Sequence, residues 1–145
     1  MTNRLFETDL ASDLEFLTAR ARAVGTVRAN TRLEPLNLKV RSYAVLALAC
    51  SDVNPSQREL ADFLSLDASQ IVALVDGLEE RGLVVREPDA RDRRSNVIKA
   101  TAAGRELAKK AAVQARLAEE ESLKALSASE RELLRDFLSR IAFDA

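Results

Sequence analysis

The sequence predicts a mainly α-helical protein with one small β-hairpin, and three observations support this fold class. The chain has 145 residues, of which 47% are hydrophobic and 31% are charged, a balance typical of one globular domain. It contains only 4 Gly and 3 Pro, and its apolar residues recur every three to four positions through six segments, as in amphipathic helices. Two short β-like runs near residues 83–99 flank a loop rich in Arg and Asp. We therefore expect six helices, with the hairpin between the fourth and the fifth.

The first predicted helix covers residues 9–33 and begins at an N-cap of Asp9 or Ser12. Its apolar residues follow a heptad-like spacing, at Leu10, Leu14, Leu17, Ala21 and Val24. Such a seam packs either on its own domain or on a second subunit, and the sequence leaves both open. Pro35 ends this helix because proline disfavours helical geometry in the preceding residue. The second predicted helix covers residues 38–50.

Two short helices joined by a three-residue turn follow, which is the pattern of a helix-turn-helix. Ser56 and Glu59 form a predicted capping box for the first, and Asp67 is the predicted N-cap of the second. The apolar stripe of the second helix is expected inside, at Ile71, Leu74, Val75 and Leu78. This leaves outside Ala68, Ser69, Gln70 and Ala73. Ser and Gln hydrogen-bond base edges, and alanine permits close approach; the alternative is an ordinary helix pair with a polar outer face.

The predicted hairpin concentrates positive charge. Residues 81–105 contain seven cations and three anions, a balance of +4, whereas the whole chain carries −1. Three of the cations lie in the loop, at Arg91, Arg93 and Arg94. Extended arginine side chains reach the DNA minor groove, and Asp92 is expected to hold the Arg94 guanidinium in one rotamer. The alternative is a solvated loop with compensating surface charges.

The C-terminal third predicts two further helices. The first covers residues 101–125, with Thr101 as its N-cap and an alanine-rich face. The last opens on a second capping box, Ser127 with Glu130. Its apolar stripe consists of Leu133, Leu134, Phe137, Leu138 and Ile141. A terminal helix this apolar needs a cover, and the N-terminal helix of the same chain or of a partner chain is the natural candidate.

The composition argues against several classes of function. The chain has no His and one Cys, and its sequence shows no activated nucleophile, no paired-carboxylate constellation and no cluster of metal ligands. We therefore expect neither an enzyme nor a bound cofactor. Cys50 is expected to be a small buried apolar residue. No apolar run approaches transmembrane length and no signal peptide is recognisable, so we expect a cytoplasmic protein without membrane contact.

Four sequence motifs together resemble the MarR family of bacterial transcription regulators. They are L-A-x-x-L at residues 60–64, V-D-x-L-E-x-R-G-L-V at 75–84, D-x-R-D-R-R at 89–94 and T-x-x-G at 101–104. The resemblance implies a homodimeric winged helix-turn-helix in which residues 1–145 form a single domain. Its DNA-binding core would cover about 38–100, and its dimerisation helices about 9–33 and 101–143.

The resemblance also implies roles for individual residues. The helix that begins at Asp67 would enter the major groove of a palindromic operator, Arg94 would enter the minor groove oriented by Asp92, and Arg93 would meet phosphate. Ser42 is added to the expected DNA contacts. Members of the family commonly release DNA when a small aromatic or phenolic ligand binds. The candidate effector contacts in this chain are Arg20, Arg28, Arg41 and Tyr43.

Two positions depart from the family pattern. Ser65 occupies a turn position that is often Gly, which implies local strain. Ala73 replaces a larger polar or basic residue, which shifts the expected base contacts to Ser69, Gln70 and the hairpin. Two alternatives remain open. The alternatives to a repressor that a small ligand releases from DNA are a winged-helix module that binds proteins and not DNA, and a redox-sensing regulator that acts through Cys50.

Overall fold

The computed structural model describes residues 3–144 and confirms the predicted architecture of six helices and one hairpin. Two 3-10 turns, Arg4–Glu7 and Asp9–Ser12, precede the first helix. The main elements are α1 Leu14–Leu33, α2 Val40–Ala49, α3 Gln57–Leu64, α4 Ala68–Glu80, β1 Val84–Pro88, β2 Asn96–Ala100, α5 Ala102–Ser122 and α6 Ala128–Phe143. The helices within this range are all too short or too polar to cross a membrane.

The chain divides into two compact units, one formed by Ala29–Ala115 and the other by the residues up to Arg28 and from Arg116 onward. The core of the Ala29–Ala115 unit draws buried side chains from α1 to α5 and from both strands. Its largest fully buried side chains are Leu33, Leu46, Leu60, Ile71, Ile98, Val45, Val75 and Val84. The predicted inner stripe of α4 is confirmed, since three of its four members are buried and Leu74 packs partly buried against the same core.

Capping explains where the central helices begin. Ser56 Oγ accepts from the Glu59 N–H at 3.1 Å and Glu59 Oε2 accepts from the Ser56 N–H at 2.7 Å, so the predicted capping box is confirmed. Asp67 occupies the N-cap of α4, where its N–H donates to Gln70 Oε1 at 3.0 Å. The predicted N-cap of the first helix at Asp9 or Ser12 is wrong. That segment forms a 3-10 turn, and Asp13 Oδ1 accepts from the Phe16 N–H at 3.0 Å instead.

The turn between α3 and α4 contains the strain that the sequence predicts. Ser65 adopts φ 54° and ψ 46°, the left-handed region. A non-glycine residue there costs about 1–2 kcal/mol. The Leu66 N–H donates to the Ala61 carbonyl at 3.0 Å, which closes the end of α3. The turn is therefore well formed although its residue is not the favoured one.

The hairpin is attached to the start of α3 as well as to itself. Strands β1 and β2 pair antiparallel, with Val84 opposite Ala100 and Pro88 opposite Asn96. Val97 of β2 forms a further β-bridge with Ser56, and the Ile98 N–H donates to the Pro55 carbonyl at 2.8 Å. Backbone hydrogen bonds thus connect the hairpin directly to the helix-turn-helix.

The T-x-x-G motif fixes the entry into α5. Thr101 Oγ1 donates to the Gly82 carbonyl at 2.6 Å and accepts from the Gly104 N–H at 3.0 Å, which confirms it as the N-cap. The Thr101 N–H donates to the Leu83 carbonyl at 3.0 Å. A Cβ on Gly104 would lie 2.0 Å from that same carbonyl oxygen. Only glycine therefore allows α5 to pass this close to the residue that opens the hairpin.

The other unit exposes many large apolar side chains along its helices. Its predicted capping box is confirmed, since Ser127 Oγ accepts from the Glu130 N–H at 3.2 Å and Glu130 Oε1 accepts from the Ser127 N–H at 2.8 Å. The exposed apolar residues are Leu5, Phe6, Leu10, Leu14, Leu17, Val24, Val27, Leu133, Phe137, Leu138, Ile141 and Phe143. A surface this apolar is typical of an interaction site.

We expect Gly104→Ala to lower the free energy of unfolding by at least about 2 kcal/mol, since the added methyl group must displace backbone. Gly77→Ala is the matched control, because nothing lies within 4 Å of a Cβ at that helical position. The control should gain about 0.5–1 kcal/mol. Urea denaturation of the two variants measures both effects, and equal stabilities would contradict the close approach at Gly104.

Candidate nucleic-acid interface

The outer face of α4 begins with small side chains. Ala68, Ser69 and Ala73 are exposed, as the sequence predicts. Gln70 is half-buried, and its Oε1 accepts from the Asp67 N–H at 3.0 Å. Its amide nitrogen can still donate to a partner. Sequence reasoning misses Val72, which is 39% exposed beside them. Its apolar type suggested the core, although its helical position four residues after Ala68 places it on the outer face.

The tip of the hairpin is a tight turn held by its own backbone. The Asp89 N–H donates to the Ser95 carbonyl at 2.9 Å, and the Ser95 N–H donates to the Asp92 carbonyl at 3.1 Å. Asp92 Oδ1 accepts from the backbone N–H of Arg94 at 3.0 Å. The predicted contact of Asp92 with the Arg94 guanidinium is therefore wrong. A carboxylate in a turn reaches the N–H two residues further on more readily than the end of a long side chain.

Arg91 is the loop arginine whose guanidinium is fixed by carboxylates. Its Nε and a terminal nitrogen donate to the two oxygens of Asp89, both at 3.2 Å, and it forms an ion pair with Glu59 at 3.3 Å. Asp89 is 6% exposed, which disfavours the alternative of a fully solvated loop. Hydrogen bonds from Arg91 hold the pKa of Asp89 below its ordinary value. The pKa of Glu59 is also lowered, mainly because its carboxylate accepts from the Ser56 N–H and, after that, because it accepts from Arg91.

Most of the cations in the basic segment of residues 81–105 bond to oxygen atoms of the chain itself. Five of the seven cations between residues 81 and 105 bond to carbonyl or carboxylate oxygens, namely Arg81, Arg86, Arg91, Lys99 and Arg105. Some of these partners lie outside that segment, so a local charge count overestimates the charge available to a partner. Among residues 3–144, the side chains of Arg93 and Arg94 form no hydrogen bond or ion pair. The two exposed guanidinium groups at the tip therefore remain available.

Arg86 connects three elements of the interface. Its guanidinium donates to Asp76 Oδ1 at 2.6 Å, to Glu79 Oε1 at 2.8 Å and to Gln57 Oε1 at 2.8 Å. The side chain is 20% exposed. Strand β1 is thereby tied to α4 and to the first turn of α3. The sequence gives no signal for these partners, because they are distant along the chain.

A groove brings the outer end of α4 and the hairpin tip together. Its volume is about 650 Å³, and its walls come from the start of α3, the start of α4 and the start of β2. Arg94 and Asn96 line one side, and Ala68 and Val72 line another. Arg58 of α3 also lines the groove. Neither Arg58 nor Asn96 is among the DNA contacts that the sequence predicts. Two elements predicted to contact DNA thus border one surface.

The residues predicted to bind an effector are distributed over both units. Tyr43 lines a second cavity of about 660 Å³ together with Cys50, Arg105 and Lys109. Sequence reasoning misses the two cations of α5, Arg105 and Lys109. Arg41 is exposed and does not line the cavity.

Three other residues predicted to contact a ligand or DNA interact with neighbours in their own unit. Arg20 lies 4.9 Å over the centre of the Phe6 ring, and Arg28 donates to the Glu121 carbonyl at 3.3 Å. In the Ala29–Ala115 unit, Ser42 Oγ accepts from the Lys39 N–H at 2.9 Å and so caps α2. These bonds show a structural use for each of these polar side chains.

The thiol of Cys50 is not activated. Burial raises its pKa, and the nearby Arg105 guanidinium opposes that rise only in part. A redox-sensing cysteine needs the thiolate, which forms when the pKa is lowered. The environment therefore disfavours the thiol-sensing alternative.

A helix-turn-helix followed by a basic hairpin is the winged helix-turn-helix, a class of DNA-binding domain. We call residues 84–100 the wing. A sequence model described as the MarR family matches residues 36–95. A MarR family transcriptional regulator from Rhodococcus sp. RHA1 is 40% identical, with 96% of this chain and 99% of that chain covered and a TM-score of 0.90. The chain belongs to the MarR family of transcriptional regulators.

Two further relatives were solved with ligands. CouR from Rhodococcus jostii RHA1, bound to p-coumaroyl-CoA, is 41% identical, covers 96% of this chain and 98% of its own, and has a TM-score of 0.84. The repressor Rv2887 of Mycobacterium tuberculosis is 29% identical over 93% of this chain and 99% of its own. Structures of Rv2887 exist with DNA and with salicylic acid, both at a TM-score of 0.74.

We expect Arg86→Met to lower the free energy of unfolding by about 1–3 kcal/mol, because two neighbouring carboxylates lose a half-buried cation. Arg93→Met is the matched control, since it removes the same charge from a side chain without a partner in residues 3–144. The control should stay within about 0.5 kcal/mol of the wild type. Chemical denaturation measures both, and equal losses in the two variants would rule out the role of Arg86.

Proposed function

We propose that this chain is a transcriptional repressor that binds a palindromic operator as a homodimer and releases it when a small aromatic or phenolic ligand binds. One observation carries the DNA-binding part. The two free guanidinium groups of the wing, Arg93 and Arg94, lie at the same end of the unit as the exposed first turn of α4, and Arg94 shares a groove with it. The DNA-bound structure of Rv2887 is consistent with this use of the fold.

The proposed contacts divide between base edges and backbone. In the major groove, Ser69 and the free amide nitrogen of Gln70 donate to base edges. Ala68, Val72 and Ala73 allow close approach, and the valine methyl groups suit a thymine methyl. On the wing, Arg94 enters the minor groove and Arg93 meets phosphate. Asp92 shapes the turn through the Arg94 N–H, and Ser42 remains a peripheral candidate.

The proposed dimer uses the helices at about residues 9–33 and 101–143, and the DNA-binding core covers about 38–100. The exposed apolar residues of α1 and α6 support this division. A two-fold dimer presents two copies of α4 about one turn of DNA apart, which is why the operator is expected to be palindromic. We propose that residues 1–145 form a single domain. We also propose that the regulator is cytoplasmic.

The proposed effector site is the cavity between α2 and α5. Tyr43 and the apolar wall suit an aromatic ring, and Arg105 and Lys109 suit an anionic group. The ligands found with CouR and Rv2887, p-coumaroyl-CoA and salicylic acid, are both aromatic and both anionic. The exposed charges of Arg20, Arg28 and Arg41 remain candidates for secondary contacts.

We expect Arg94→Ala to cost about 1–3 kcal/mol of binding free energy for DNA from upstream of its own gene, and to leave the stability unchanged. A side chain at the tip of a turn supports no core. The salt dependence of binding should also weaken by about one counterion. Fluorescence anisotropy across a series of KCl concentrations measures both quantities.

The control for this variant is Lys124→Ala, which removes one exposed cation in the turn after α5. It should bind DNA nearly as the wild type does. If Arg94→Ala and Lys124→Ala bind alike, the wing is not the DNA contact.

We expect p-coumaroyl-CoA or salicylate to raise the melting temperature and release the DNA at the same concentrations. A ligand at 100 times its dissociation constant stabilises by about 2.7 kcal/mol. Arg105→Met should weaken that ligand by roughly tenfold or more, since a hydrogen bond to a charged group is lost. Lys110→Met is the control on the same helix, because Lys110 does not line the cavity. Equal binding by the two variants would remove Arg105 from the site.

A further inference from the structure

The side chain of Glu59 serves two elements at once. Its Oε2 accepts from the Ser56 N–H at 2.7 Å, which caps α3. The same carboxylate accepts from two nitrogens of Arg91, at 3.4 Å from Oε1 and 3.3 Å from Oε2. A capping residue of the helix-turn-helix is thus also the partner of a wing arginine.

On its other side, Arg91 is bound to the wing itself. Asp89 receives its Nε and a terminal nitrogen at 3.2 Å each, and also the Arg91 backbone N–H at 2.9 Å. The Asp89 side chain is 8% exposed, whereas that of Arg91 is 63% exposed. The Arg91 guanidinium, at the surface, therefore links the buried Asp89 in the turn to Glu59, which caps α3.

This ion pair complements the backbone contacts between the same two elements. The Ser56–Val97 bridge and the Ile98–Pro55 hydrogen bond attach β2 to the start of α3. They leave the turn that carries Arg93 and Arg94 without a backbone bond to the helix. The contact between Glu59 and Arg91 is what connects that turn to α3.

We propose that Glu59 is a positioning residue for DNA binding, and that Arg91 acts with it to orient the tip and does not itself contact DNA. The inference rests on the proposed DNA-binding function. Restricting the turn before binding reduces the ordering that Arg93 and Arg94 must undergo in the complex. Asp89 and Glu59 together accept from four of the five N–H donors of the Arg91 guanidinium, which leaves one for phosphate.

The variant Glu59→Gln tests this proposal, because the direction of the change in DNA affinity distinguishes positioning from a simple charge effect. Glutamine keeps an oxygen that caps α3 and loses the charge that attracts Arg91. Removal of an anion near DNA strengthens binding if only charge matters. Loss of positioning weakens it instead, by about two- to tenfold.

The chain supplies a matched control in Glu130→Gln. Glu130 forms the same capping box with Ser127, at the start of α6 and without an arginine bonded to its carboxylate in residues 3–144. We expect Glu130→Gln to bind the upstream DNA as the wild type does. In an Arg94→Ala background, Glu59→Gln should add less than its effect in the wild type, because the tip that it orients has been removed.

A second measurement needs no DNA. Relaxation of the ¹⁵N-labelled backbone of residues 89–95 should show more motion in Glu59→Gln than in Glu130→Gln. Increased motion together with weaker binding supports the inference. Unchanged motion, or binding equal to or tighter than that of Glu130→Gln, overturns it. If the wild type binds no upstream DNA at low salt, the proposed function fails, and the relaxation data still decide whether Glu59 orders the wing.

Discussion

The half-buried guanidinium of Arg86 makes the contacts on which the placement of the proposed DNA-binding elements depends. It joins β1 to α4 through Asp76 and Glu79, and to α3 through Gln57. A cation largely removed from water is stable only when several acceptors surround it. Helices α3 and α4 therefore cannot separate from the wing without leaving this charge unpaired. These contacts therefore act with the backbone bonds between β2 and the start of α3 to hold the wing against the helix-turn-helix.

The same bonding decides where positive charge remains for a partner. A chain with a net charge of −1 cannot attract DNA as a whole. Arg86 and Arg91 lie near the interface, yet carboxylates of the chain offset their charge. Among the cations of the wing, Arg93 and Arg94 are the two whose charge no carboxylate of residues 3–144 offsets. This distribution of charge supports the proposal that the protein binds DNA through a few placed cations and not through a broad basic surface.

The sequence predicts the parts of this structure that depend on neighbours along the chain. The boxes of Ser56 with Glu59 and of Ser127 with Glu130, and the cap at Thr101, are local signals, and all three are confirmed. The contacts of Asp92 and Gly104 are not predictable in this way. Asp92 could approach either end of Arg94, and only the turn geometry selects the backbone N–H. The need for Gly104 arises from a carbonyl 21 residues earlier, at Leu83.

Helix α4 explains why the wing has to carry the electrostatic part of binding. Residues 68–80 contain three anions, Asp76, Glu79 and Glu80, and no cation. Such a helix is repelled by phosphate unless its charge is offset. Arg86 pairs with the first two of these anions, and so the contact that places α4 also lowers its repulsion of DNA. In the proposed complex the helix contributes shape and hydrogen bonds, while Arg93 and Arg94 supply the attraction.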